Sequence, residues 1–234
     1  MTRLALTMIV RDEAAQLPAF LDHHRSLADE LVIVDTGSQD ATVAIAAAAG
    51  ARVVVHPWQD GFASARNAAL AAVGAEWIIF LDADERISQD DFARLRQSLP
   101  SEGQCVFLQE TWNYCLDRTH LEWQPLPGRY PREEARQTGM FVARRIGIFP
   151  RRAQLLFTGR VHESLLPAAK AAGLEILPLD IPVHHYGYAR PDCVRWSAAR
   201  FCSDGCVVRW GSLIVRNFSV RRIGERFVSV WVIE

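Results

Sequence analysis

The first eighty residues alternate between short continuous apolar runs and stretches with helical spacing. "LALTMIV" (4–10), "LVIVD" (31–35), "ARVVVHP" (51–57) and "EWIIFLD" (76–82) are rich in β-formers and suit strands covered on both faces. Between them, "EAAQLPAFLDHHRSLA" (13–28) carries apolar residues at helical spacing, with Pro18 early enough to be tolerated. "TGSQDATVAIAAAAG" (36–50) reads as a turn, a Ser38 N-cap and an alanine-rich helix closed by Gly50, and "SARNAALAAVG" (64–74) as a helix closed by Gly74. Four strands alternating with three helices predict an α/β fold with a doubly wound, mostly parallel sheet.

Beyond Ser88 the pattern predicts a helix over "QDDFARLRQSL" (89–99) and a strand over "CVFLQETWNYC" (105–115). Residues 117–137, rich in Pro, Arg and aromatics, read as a long functional loop. "MFVARRIGIFP" (140–150) and "LLFTGRVHESLL" (155–166) are read as strands, "PAAKAAG" (167–173) as a helix and "LEILPLDIPVHHYGY" (174–188) as a strand, forming a small additional β region. This organisation implies one domain over residues 1–195 and an atypical tail over 196–234. From 201 onward, "FCSDGCVVRWGSLIVRNFSVRRIGERFVSVWVIE" keeps neither helical nor two-residue alternation for long. Local propensity and global fold disagree there, which fits either a frameshifted or truncated segment beginning near residue 197 or a genuine β-rich appendage.

At 234 residues, half of them apolar, the chain can bury a sizeable core. A formal net charge of −1 creates no global field to gather nucleic acid, so nucleic acid is not an expected partner and any anion site must be local. Five cysteines without a CxxC pair fit a reducing cytoplasm. No apolar run reaches bilayer length, so the expected location is cytoplasmic, with peripheral contact at the inner membrane face left open.

In open parallel sheets, ligands bind outside the carboxyl ends of the strands. Arg11, Asp12 and Glu13 follow the first strand, Asp35 the second, and Asp82 and Asp84 the fourth. In an extended chain, residues i and i+2 face the same way about 7 Å apart, so Asp82 and Asp84 would project together. Two hard oxygen ligands so placed suit Mg2+ or Mn2+ shared with a diphosphate. Asp-x-Asp alone is equally a turn signal, and Asp35 alone could turn the chain before a helix.

Five segments in order, "MIVRDEAAQLPAFLDHHRSLADELVIVDTGSQDATVAIA", "FASARNAAL", "EWIIFLDADE", "GRVHE" and "HHYGY", resemble a family 2 glycosyltransferase of the GT-A fold, in the bacterial branch of lipopolysaccharide-core glucosyltransferases. The resemblance implies a metal-dependent, inverting hexosyltransferase using a UDP-sugar donor, UDP-glucose by branch, and a saccharide or glycolipid acceptor. It implies that Asp35 holds the nucleotide base, with Val10, Arg11 and Glu13 beside it. Arg66 would lie near the phosphates, and Asp82 and Asp84 would meet the ribose and the metal-bound diphosphate. Glu163 would be the catalytic base and His185 a further metal ligand. The family's first-strand motif is usually Lys-Asn-Glu or similar, whereas this chain reads Arg11-Asp12-Glu13: Glu13 matches and Asp12 departs.

Other readings remain beside these. Glu163 could cap the following helix, and His184 or His185 could be hydrogen-bonded core residues. Arg144, Arg145, Arg151, Arg152 and Arg160 could grip a phosphorylated acceptor or form a solvated face. Trp112, Tyr114, Trp123 and Tyr130 could stack on sugars or pack beneath the loop. A sugar nucleotidyltransferase would normally carry a glycine-rich phosphate loop after the first strand, and "VRDEAA" has no glycine. A non-catalytic nucleotide-sugar-binding protein is the remaining rival.

Overall fold

The computed structural model describes residues 2–59, 61–159 and 163–189, together with the strands Val208–Trp210, Leu213–Val215, Phe218–Ile223 and Arg226–Trp231. The chain divides into two compact units, Met1–Arg190 and Pro191–Glu234.

In the first unit the elements run β1 (Leu4–Val10), α1 (Leu17–His24), β2 (Glu30–Asp35), α2 (Thr42–Ala48), β3 (Arg52–Val55), α3 (Phe62–Ala72) and β4 (Trp77–Phe80). They continue as β5 (Glu85–Arg86), α4 (Phe92–Gln97), β6 (Cys105–Tyr114), β7 (Met140–Pro150), α5 (Leu166–Ala171) and β8 (Glu175–His185). One eight-stranded sheet has the order β3-β2-β1-β4-β7-β6-β8-β5. The β3-β2-β1-β4 half is parallel throughout, β7 runs antiparallel to both β4 and β6, and β6 is parallel to β8.

Alternation along β1 and β4 explains the two layers. Leu4, Leu6, Met8 and Val10 face one core with Trp77 and Ile79, against Leu17 and Phe20 of α1. Ala5, Ile78 and Phe80 face the other, against Ala65 and Ala69 of α3 and against Phe157. Both faces of the central strands are therefore dry, as their continuous, almost wholly apolar runs require.

Three sequence expectations are corrected. Helix α1 begins only at Leu17, because Pro18 sits in its first turn, where a missing N–H costs nothing. Ser38 is not the cap of α2: Asp40 Oδ1 accepts from Thr42 N at 2.9 Å, while Ser38 Oγ accepts from Asp12 N at 2.9 Å. Residues 155–166 do not make a strand in their described part. Leu155 and Phe157 are buried, and a lone bridge links Thr158 to Ser164. Among the described residues no helix is long and apolar enough to cross a membrane.

In the second unit the described strands pair as two antiparallel ribbons, Val208–Trp210 with Leu213–Val215 and Phe218–Ile223 with Arg226–Trp231. The expected segment change near residue 197 lies outside the described residues.

His24 supplies a pH signature for this core. Its Nδ1 meets Phe20 O at 3.0 Å, and its Nε2 accepts from Ile87 N at 3.2 Å, so the neutral ring is fully used. Burial first, then the charge of His23, lowers its pKa from 6.5 to about 3. A histidine depressed in the folded state contributes stability above pH 6.5 and loses it as pH falls toward 3, because the unfolded chain takes the proton first. Between pH 6 and 4 the stability of the parent is expected to fall more steeply than that of His24→Gln, by about 1.4 kcal/mol per pH unit. Denaturant titrations at several pH values check this, and equal slopes would refute it.

Candidate active site

The polar residues at the ends of β1, β2 and β4 form one region, built by turns. After β4, Glu85 N donates to Asp82 O at 2.9 Å, and Asp82 N donates to Glu85 Oε2 at 2.9 Å. This double closure bends residues 82–85 into a turn. Asp82 and Asp84 therefore do not project side by side from an extended strand, as the spacing predicts. Asp82 Oδ1 stands 3.4 Å from Arg66 Nη2, whereas Asp84 Oδ2 stands 3.4 Å from His185 Nε2. Among the described residues no three His, Cys, Asp or Glu side chains lie close enough to share an ion. The expected trio of Asp82, Asp84 and His185 resolves into a pair and a separate carboxylate.

That pair has a definite polarity. Asn113 Nδ2 donates to Thr111 O at 3.1 Å and Phe141 O at 3.4 Å, so its Oδ1 is the atom 2.7 Å from His185 Nδ1. Nδ1 must then carry the proton, and a neutral His185 turns the bare lone pair of Nε2 toward the Asp84 carboxylate. Two lone pairs face one another unless a proton or a cation lies between them. Burial opposes a charged ring, yet Asp84, with Glu85 and Asp82 behind it, raises the His185 pKa above its ordinary value. An oxygen and an imidazole nitrogen whose far side is fixed by an amide fit a divalent cation that takes its remaining ligands from a diphosphate.

Gly187 gives this pair its room. A Cβ there would lie 2.6 Å from His185 Nε2 and 2.8 Å from Asp84 Oδ2. Gly187→Ala is expected to push the two groups apart and weaken Mn2+ binding about 10- to 100-fold, the range seen when metal-ligand orientation is lost. Calorimetric titration of Mn2+ checks it, and an unchanged affinity would show that the donors are not used together.

On the other side of Asp82, Arg66 ties two carboxylates. Its Nε donates to Glu163 Oε1 at 2.6 Å, and its guanidinium lies 4.1 Å from the Phe80 ring centroid. Glu163 is 13% exposed in its side chain and does not cap α5. Asn67, next along α3, clamps the backbone of Phe157: Nδ2 donates to Phe157 O at 3.0 Å and Phe157 N donates to Oδ1 at 2.8 Å. The Ala-Arg-Asn triplet thus anchors the segment that leads to Glu163, a role for Asn67 that sequence reasoning did not assign.

At the ends of β1 and β2, Asp35 accepts from Gly37 N at 3.1 Å and Ser38 N at 3.2 Å, closing the turn and leaving further lone pairs. The carbonyl of Val10 accepts from Thr36 N, and Arg11 lies 4.0 Å from Asp12. Glu13 N donates to Thr42 Oγ1 at 2.8 Å, and Glu13 Oε2 accepts from Gln16 Nε2 at 2.9 Å. Glu13 thus braces the start of α1.

The core reading holds for His184 and most of the aromatics. His184 is 0% exposed and meets Tyr114 OH at 2.7 Å, and burial lowers its pKa to about 3. Trp112, Tyr114 and Tyr130 are buried around it, and Trp123 is half-buried. Of the arginines, Arg144 pairs with Glu110, Arg151 donates to Ala75 O and Arg152 to Gly103 O; Arg160 lies outside the described residues. Arg145 alone of the four described turns to the site, pairing with Glu85. An open cleft of about 610 Å³ borders Asp84, with Gln16, His23, Arg86, Arg132 and Tyr186 along its walls.

Residues 6–155 match the family model described as glycosyl transferase family 2. The chain belongs to that family. A TPR repeat-containing protein of Synechococcus elongatus is 35% identical over 196 residues, covering 81% of this chain and 43% of that protein. An uncharacterized glycosyltransferase of Rickettsia bellii is 32% identical over 106 residues, covering 45% and 36%. The chain thus spans less than half the length of these curated relatives. Among solved structures, glucosyl-3-phosphoglycerate synthase from Mycobacterium tuberculosis, in complex with Mn2+, UDP and glucosyl-3-phosphoglycerate, superposes with a TM-score of 0.53 at 19% identity, over 84% of this chain and 75% of that one. A mannosyltransferase from Pyrobaculum calidifontis, in complex with GDP-Man and Mn2+, gives 0.53 at 18%, over 80% and 59%. At these identities the superpositions establish the shared α/β, GT-A-type fold.

Proposed function

We propose that this chain is an inverting, metal-dependent glycosyltransferase that moves a hexose, glucose in the first instance, from a UDP-sugar to a saccharide acceptor. The observation that carries the reading is the Asp84–His185 pair, whose tautomer is set by Asn113 so that a carboxylate and a nitrogen lone pair converge. Solved neighbours of the same fold contain Mn2+ or Mg2+ with UDP, or Mn2+ with GDP-Man, which supports a metal and a nucleotide-sugar here. Asp84 and His185, with Asp82 nearby, would hold a divalent cation, which when bound would neutralise charge on the departing diphosphate.

The chain's own residues do the rest. Asp35 has lone pairs beyond its turn hydrogen bonds to read a nucleobase N–H, and Val10, Arg11 and Glu13 form the adjoining wall. Glu163 accepts the acceptor hydroxyl proton as the oxygen bonds to the anomeric carbon and the bond from that carbon to the diphosphate oxygen breaks. Arg66 holds the Glu163 carboxylate in place through Nε until substrate competes for it, with its guanidinium shared toward Asp82 near the phosphate position. The sequence resemblance to lipopolysaccharide-core enzymes supports a saccharide such as a lipopolysaccharide core as the proposed acceptor class, with the reaction proposed to take place in the cytoplasm.

The test is a donor panel of UDP-glucose, other UDP-hexoses and GDP-mannose, read by thermal shift with and without Mn2+ and then by nucleotide release. A Mn2+-dependent shift largest for UDP-glucose, with release of UDP in the presence of a saccharide acceptor, is expected. Binding without either hydrolysis or transfer would favour a non-catalytic sugar-nucleotide binder instead.

A further inference from the structure

Glu85 follows the Asp82–Ala83–Asp84 triplet and is 3% exposed, a depth at which an unpaired carboxylate is not tolerated. Its Oε2 accepts two hydrogen bonds, from Asp82 N at 2.9 Å and from Arg145 Nη2 at 2.6 Å. Its backbone belongs to β5, directly opposite His185 of β8 in the ladder. One residue is therefore attached to the Asp82 backbone by its side chain, to Asp84 by the peptide bond and to His185 by strand pairing.

Arg145 reaches this point because β7 outruns β4. The β4–β7 ladder ends at Ile79–Ile148, and Arg145 lies three residues further along β7, past the end of β4. Its guanidinium lies 4.5 Å from the Phe80 ring centroid, the ring that also carries Arg66. Taking two charges from water seldom adds stability, and a hydrophobic pair of similar volume would hold the strands as well. What the ion pair supplies is a fixed direction for the Glu85 carboxylate, and through it a fixed turn.

We propose that Arg145 and Glu85 form a positioning couple that holds the Asp82–Asp84 turn and the His185 strand in register for the metal-bound diphosphate, an inference that rests on the donor reading of the site. Arg145 acts through Glu85 and does not itself hold the cation. Without the guanidinium, Glu85 must turn away or take a proton; either way its side chain loses the direction that Arg145 gives it, so the hydrogen bond from Asp82 N and the placement of Asp84 against His185 are no longer fixed.

The experiment compares the parent with Arg145→Met and Arg145→Lys by calorimetry with UDP, in Mn2+ and in EDTA, alongside circular dichroism. Arg145→Met is expected to weaken Mn2+-dependent UDP binding at least 10-fold while UDP binding in EDTA stays within twofold, and Arg145→Lys to recover most of the loss. Should Arg145→Met not fold, the double variant Arg145→Met/Glu85→Gln removes the uncompensated charge and is expected to show the same selective loss. Mn2+-dependent binding within twofold of the parent, in the single variant or in the folded double variant, overturns the couple and leaves the donor reading intact. A parent that binds UDP equally in Mn2+ and EDTA overturns the donor reading and this inference with it.

Discussion

Asp84→Asn is expected to lower kcat/KM roughly 1,000-fold with little change in the melting transition. The side chain keeps its shape but loses the charge that faces His185 Nε2. Charge neutralisation at a departing diphosphate is worth several kcal/mol, and each 1.4 kcal/mol is a factor of ten in rate. Because the Asn amide can present its nitrogen to Nε2 of the neutral ring, a hydrogen bond takes the place of the carboxylate contact that raises the His185 pKa, so stability should hold. Initial rates across a Mn2+ series decide the matter. A variant that retains parental turnover, or a parent that works undiminished in excess EDTA, would remove Asp84 from the chemistry.

Glu163→Gln is expected to leave UDP affinity within twofold and to reduce transfer about 100- to 10,000-fold, the usual range for loss of a general base. The glutamine carbonyl can still accept from Arg66 Nε, so the anchor to α3 survives while the proton acceptor is lost. Single-turnover transfer measured beside UDP calorimetry separates the two effects. A rate within threefold of the parent would move the base role to another carboxylate, with Asp82 the nearest candidate through its shared contact with Arg66.

The sequence made the parallel half of the sheet legible because β1, β2 and β4 are buried on both faces and so are almost wholly apolar, Thr7 being the one polar residue inside their runs. The strand-end carboxylates were legible for the same reason: they mark where each apolar run stops, even where, as at Asp35, the side chain is still buried. Their partners were not. The Arg66–Glu163 contact joins residues 97 positions apart, Arg145 and Glu85 are separated by 60, and His185 and Asn113 by 72. Local periodicity has no access to such separations. The turn at Asp82–Glu85 was hidden differently. Glu85 looked like one more charge at the end of a run, when its carboxylate in fact folds back on Asp82 N and ends the extended geometry that the i, i+2 spacing assumed. Ser38 misled as a cap because Asp40, two residues later, offers an oxygen closer to Thr42 N and accepts from it instead.

The first-strand departure at position 12 has its explanation in backbone handedness. Asp12 has φ 55°, in the left-handed region. Its N–H donates to Ser38 Oγ, and its Oδ1 accepts from Gln39 N at 2.7 Å. Asn and Asp enter that region far more readily than other side-chain-bearing residues, and each offers an oxygen at the same reach. Exchanging Asn for Asp there is a conformationally silent substitution, whereas valine or isoleucine would meet a steric penalty of about 1–2 kcal/mol. Position 12 therefore constrains its occupant by chirality and not by charge, and the loop beyond β1 takes Asn or Asp without re-routing the chain, whereas Gly would keep the handedness but lose the acceptor for Gln39 N.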